Sequence, residues 1–186
     1  MSTSLEQVLS SFNARNETNL TILEKFKEIA KVVLYGGYFL VNEKAHIYPT
    51  EIEFYLHGER NNEPAWMIDK KMIHRNGKEQ VPYFPNTGSL FPHTFGIDVT
   101  FENEIEEYRA SFLIRSYRYE KDGEIITNPT YLWEDMFGYN SFTGSGLIIK
   151  WVDEPSETKE PVTNTRLNLK DENGNQDTKP WRFTKV

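Results

Sequence analysis

The sequence contains no cysteine, which rules out disulfides, thiolate catalysis and cysteine-rich zinc sites together. Nor does it contain an uncharged apolar run of about 18 residues, the length that a membrane-spanning helix needs. Its start, MSTSLEQVLSSFNARNE, lacks the basic leader and apolar middle of a secretory signal, so a cytoplasmic location is expected. Net positive charge is missing too: 28 acidic residues against 21 basic ones give −7. Lysine and arginine supply most non-specific affinity for nucleic acid, so this balance argues against a DNA-directed protein. A local basic patch can still coexist with a negative total. Gly36 and Gly37 match no phosphate-loop fingerprint, and no internal repeat is visible.

What is present is a foldable core composition, with 12 Phe, 10 Tyr and 4 Trp in 186 residues. That length suits a single domain spanning 1–186, with a helical N-terminal part at 1–34. Ser4 and Gln7 form a capping box, and Leu5, Val8, Leu9 and Phe12 follow at helical spacing. A second helix is predicted from about Thr21, with Ile22, Leu23, Phe26, Ile29, Ala30 and Val33 along one stripe and the paired glycines at its end. Strands are predicted at 38–41 and 47–56, with Pro49 at an edge or bend, and at 96–101 and 108–119 as a hairpin through an acidic turn. Residues 57–93 read as a long irregular loop. YLWEDMFG reads as a helix, LIIKWV as an apolar element, and the polar stretch 156–178 as a loop with one short strand around Leu167. Helices before strands favour an α+β fold, with the N-terminal helices packed on a curved, mainly antiparallel sheet.

The stretch TEIEFYLHGE carries the first chemistry. Alternation puts Ile52, Phe54 and Leu56 on one face and Glu51, Glu53 and Tyr55 on the other. Carboxylates on a strand face are most often simply solvated. In FLIRSY, alternation groups Leu113, Arg115 and Tyr117 together, and a half-buried guanidinium calls for a carboxylate partner, Glu53 or Asp98. His74 and His93 lie in the irregular region. A metal cluster of Glu51, Glu53, His74, His93 and Asp98 lacks any ligand spacing to support it, so no metal or other cofactor is expected.

The order of these motifs, LYGGYFLV, TEIEFY, HRNG, GIDVTF, FLIRSY, NTRLNL and KPWRF, resembles the alkyladenine (3-methyladenine) DNA glycosylase family from about residue 26 to the end. The resemblance implies that family's fold, a curled sheet akin to the formyltransferase C-terminal barrel. It implies base excision from DNA, with Glu53 activating the attacking water and Arg115 orienting it. Tyr55 would stack on the extruded base, His74 would face it, and Asp98 would stand where the family has a pocket asparagine. The segment before GIDVTF is shorter than the family's DNA-intercalating hairpin, so either Phe95, beside His93, takes the wedge's place or nothing does. DNA carrying an extruded modified base is the expected partner, with a free nucleoside as the other option, and the protein is expected to be a monomer. The rival expectation is a non-catalytic ligand-binding or protein-interaction module on the same fold.

Overall fold

The computed structural model describes residues 4–15, 17–58, 69, 82–141, 143–144, 146–154, 159–170 and 173–186. Among the described residues the protein is α+β, with three helices and a curled antiparallel half-barrel sheet. Helix α1 (Leu5–Ser11) starts at its capping box: Gln7 N–H donates to Ser4 Oγ at 3.2 Å, and Ser4 N–H donates to Gln7 Oε1 at 2.9 Å. Helix α2 (Asn19–Tyr35) begins earlier than predicted. Thr18 is its cap, and Thr21 reaches back to accept from the Thr18 N–H at 2.7 Å, so Thr21 closes a capping box rather than opening the helix. Ile22, Phe26, Ile29, Ala30 and Val33 are at most 1% exposed, and Gly36 caps the end.

The strands are β1 (Gly37–Val41), β2 (Ala45–Gly58), β3 (Ser89–His93), β4 (Gly96–Thr100), β5 (Tyr108–Arg118), β6 (Ile149–Asp153), β7 (Val162–Asn164) and β8 (Arg182–Thr184). They are ordered β3-β4-β5-β2-β1-β6, with β8 on β2 and β7 on β8. Strand β2 is the hub. One edge pairs with β5; the other pairs with β1 through residues 45–47 and with β8 through residues 51–53. Pro49 sits in the gap between those two stretches, beside an irregularity at Thr50, where a missing N–H is tolerated.

Two strand expectations are corrected. Residues 89–93, expected as irregular loop, form β3 and pair with β4; Pro92 hid the pattern, and an edge position is what permits it. The short strand expected around Leu167 lies instead at Val162–Asn164, and Leu167 is in a bend. Helix α3 (Pro129–Phe137) opens with Asn128 as cap and proline in its first turn. It is fixed to β5 by Asp135, which accepts from Tyr117 OH at 2.6 Å and also from Tyr119 OH.

Helix α2 covers the β2 face formed by Ile52, Phe54 and Leu56. Phe26 stacks on Phe54 with centroids 4.3 Å apart and planes at 7°. One buried cluster runs from Leu5 to Phe183, and each fully buried Phe or Ile in it contributes about 1.5–3 kcal/mol. No described helix is long and apolar enough to cross a membrane.

At the β1–β6 seam, a Cβ on Gly37 would fall 2.2 Å from the Val152 carbonyl oxygen and 2.7 Å from the Trp151 ring. Gly37→Ala is therefore expected to part these strands and cost about 1–3 kcal/mol. Chemical denaturation checks this; an unchanged midpoint would mean that the β1–β6 pairing contributes nothing.

Candidate active site

The site begins with a defect in a ladder. Along β2 and β5, Glu51 pairs with Ser116 but Ile52 pairs with Ile114, so Arg115 is an extra residue with no cross-strand partner. Thr50 is extra on β2 in the same way, between the Pro49–Tyr117 and Glu51–Ser116 pairs. Such bulges re-aim side chains and break alternation. Ser116, rather than Tyr117, therefore continues opposite Glu51, which corrects the grouping of Leu113, Arg115 and Tyr117 on one face.

The bulged Arg115 reaches across to β2. Its Nη1 donates to Glu53 Oε1 at 3.0 Å, and its Nε lies 3.8 Å from Glu51 Oε1. Of the two carboxylates open to it from sequence, Glu53 is thus the one engaged. Tyr55 OH donates to the same Glu53 oxygen, and Leu167 N–H donates to Oε2 at 2.8 Å. Glu53 is 0% exposed, so the second face of β2 is buried as well, not open as simple alternation implied. Burial first, and then the Glu53 charge, push the Tyr55 phenol well above its ordinary range, so it remains the donor of this pair.

Glu51 extends the network outward. Its Oε2 accepts from Arg182 Nη1 and Thr184 Oγ1, each at 3.2 Å, and Arg182 Nε donates to Thr165 O at 2.8 Å. Charges therefore alternate as Glu53, Arg115, Glu51, Arg182 across β5, β2 and β8. The two glutamates, about 7 Å apart along an ideal strand, share one guanidinium.

On the far side of β5, Asp98 pairs with Leu113, which pairs with Glu53, placing all three in one row on one face. Asp98 Oδ2 accepts from Ser111 Oγ at 2.8 Å, and Oδ1 lies 3.1 Å from His93 Nε2. Phe95 N–H donates to His93 Nδ1 at 3.2 Å, which assigns the neutral ring's proton to Nε2, facing Asp98. Phe95 itself is 62% exposed at the tip of the β3–β4 hairpin, whose turn closes on Gly96 with φ +133°. The structure thus brings Glu53, Tyr55 and Arg115 into direct contact and sets His93 and Asp98 along the same sheet. Phe95 stands apart at the tip, and His74 lies outside the described residues.

The residue that sequence reasoning missed is Arg166. It is 1% exposed and bidentate to Asp69, with Nη1 to Oδ2 at 2.9 Å and Nη2 to Oδ1 at 2.6 Å. It also donates to Asp177, and to the Phe54 carbonyl at 3.2 Å, while Lys179 Nζ lies 3.6 Å from Asp69 and 3.3 Å from Asp177. Its guanidinium carbon sits 5.3 Å from the Tyr55 ring centre and 5.1 Å from that of Trp181. Its neighbour Leu167 supplies the N–H on Glu53. The only sequence pointer was the NTRLNL motif, inside a stretch that reads as solvated loop.

Among the described residues, no group of three or more His, Asp or Glu side chains is placed to hold a metal. The fold and site together define an α+β half-barrel that carries a buried acid–arginine pair on a bulged strand. Comparison of the chain with protein families, with curated proteins and with solved structures finds no match.

Removing Arg166 leaves two buried aspartates to share Lys179, so Arg166→Met is expected to cost about 3–5 kcal/mol in chemical denaturation. Burial alone would raise the Asp177 carboxyl, but the Arg166 charge, the Lys179 N–H and Lys179 itself hold it below the ordinary value. A depressed folded-state value gives stability that is complete above the unfolded value of about 3.9 and is lost as pH falls through the folded one. Acid denaturation curves should steepen below about pH 4 in the wild type and flatten there in Asp177→Asn. Identical acid limbs would show that the Arg166–Asp177 pair adds no pH-dependent stability.

Proposed function

We propose that this chain is a monofunctional N-glycosylase that removes a modified purine from DNA by water attack at the N-glycosidic bond, in the manner of base-excision repair. The reading includes the alkyladenine-glycosylase type of half-barrel. The observation that carries it is the Glu53 carboxylate, held by Arg115 and Tyr55 on adjoining strands. A carboxylate offers about four lone-pair positions. Tyr55, Arg115 and Leu167 occupy three, which leaves one for the attacking water.

In this reading Glu53 takes the proton from water and stabilises the positive charge that develops on the sugar. Arg115, whose Nη1 donates to Glu53 Oε1, orients the carboxylate and fixes the water's position. The base leaves the helix to be reached, since its bond to the sugar is inaccessible within a stacked duplex. Tyr55 and His93 line its berth, Asp98 reads its edge, and the exposed Phe95 fills the gap left in the stack. Tyr55 must release Glu53 as the base arrives. Catalytic contacts commonly reach their working geometry only in the complex. No lysine takes part, so no imine forms and the strand is not cut.

One observation favours the second reading, a ligand-binding or interaction module. Glu53 is 0% exposed and both its oxygens are bonded, as in a structural ion pair.

The discriminating experiment is a base-release assay on DNA carrying alkylated purines, deaminated purines or etheno adducts, run beside free nucleosides. Glu53→Gln should lower release by about 10² to 10⁴, the worth of a positioned general base, and Glu51→Gln should lower it less. Equal release by wild type and Glu53→Gln would assign Glu53 a structural role. Folded wild-type protein that releases no base from any substrate would favour the binding module.

A further inference from the structure

A cavity of about 360 Å³ opens where the two ends of the strand order approach each other, between β3 and β4 on one side and β1 and β6 on the other. Helix α1 forms its remaining wall. Its lining shares no residue with the Glu53 network, so a ligand bound there is independent of the proposed glycosylase chemistry. The volume falls within the range of about 300–1,000 Å³ typical of small-molecule sites.

The walls are apolar and aromatic: Leu5 and Leu9 from α1, Phe39 from β1, Leu90 from β3 and Trp151 from β6. Phe39 and Trp151 meet edge to face with centroids 5.0 Å apart. The charged lining is different in character. Lys150 is engaged by Glu43. Asp153 accepts from Trp151 Nε1 through Oδ1 at 2.9 Å, which fixes the indole and commits only one carboxylate oxygen. Among the described residues, neither Asp153 nor the exposed Glu6 has an ion-pair partner within 4.0 Å. An aromatic interior therefore opens beside two carboxylates with no lysine or arginine of the described residues within 4.0 Å, and the one lysine in the lining, Lys150, is drawn to Glu43.

We propose that this cavity binds a small primary amine with an aromatic or branched apolar body. The body displaces water from the apolar walls, which is the main source of affinity for such a pocket. The ammonium group sits beside Glu6 and Asp153, where a cation is favoured by charge. An anionic head of the same size is repelled there, and a neutral one loses the charge contribution. Complementarity of charge, rather than shape alone, sets the ligand class.

The probes are three molecules with one phenyl body and different heads: 2-phenylethylamine, 2-phenylethanol and 3-phenylpropionate. Each is titrated into the full chain while backbone amide NMR shifts are followed. Saturable shifts at Leu9, Phe39 and Trp151 are expected with the amine, with affinity about two- to fivefold weaker for the alcohol and no saturation for the carboxylate. Glu6→Gln with Asp153→Asn should bring the amine to the alcohol's affinity. Leu90→Trp, which fills the cavity from a half-buried strand position, should abolish binding while the rest of the spectrum stays dispersed. Three results would overturn the proposal: no saturable binding of any probe, equal affinity for all three heads, or amine binding that survives Leu90→Trp.

Discussion

A guanidinium with 1% exposure cannot be left unpaired, and the second face of β2 is organised around that requirement at Arg166. Asp69 and Asp177 neutralise it from two distant parts of the chain, and Lys179 balances the second aspartate. The cluster ties the segment after β7 to the backbone of β2 through the Phe54 carbonyl. With that segment in place, Leu167 N–H meets Glu53, and Trp181 and Tyr55 flank the guanidinium. A strand whose sequence shows one apolar face and one polar face thus ends with both faces buried.

The second organising feature is the bulge at Arg115. In a regular ladder Arg115 would have paired with a residue of β2; here it is left between the Glu51–Ser116 and Ile52–Ile114 pairs. Displacing Arg115 from the ladder lets one guanidinium serve Glu51 and Glu53 together. The result is a buried negative group whose partners are a fixed cation, a phenol and a backbone N–H, in low-dielectric surroundings. Such preorganised polarity can stabilise developing charge, and it can equally be a structural clamp. Chemistry at the remaining lone pair of Glu53 separates the two.

Much of this was legible from sequence where the deciding forces are local. The Ser4–Gln7 capping box, the α2 stripe from Ile22 to Val33 and the strand pattern of TEIEFY each depend on neighbours a few residues apart, and each appears in the structure. A carboxylate partner for Arg115, Glu53 or Asp98, was also readable, because a guanidinium on a strand demands one, and the structure pairs it with Glu53. What was hidden depends on distant or irregular pairing. Arg166 looks like a loop residue until Asp69, 97 positions away, is brought beside it. The Arg115 bulge inverts the alternation that placed Tyr117 with Arg115. Pro92 masks β3 because its edge position, the reason it is tolerated, is a property of the sheet rather than of the segment. Thr21 reads as a helix start because a threonine can serve either end of a capping box.

On the proposed reading, Glu53 directs water to a glycosidic carbon while the sugar–phosphate chain stays whole. Mass spectrometry of an oligonucleotide bearing a single hypoxanthine, etheno-adenine or alkylated purine, after incubation with the wild-type protein, tests it most directly. The predicted products are free modified base and a full-length strand that carries one abasic site. A strand cut at the lesion, or oligonucleotides recovered unaltered from folded protein, would contradict it.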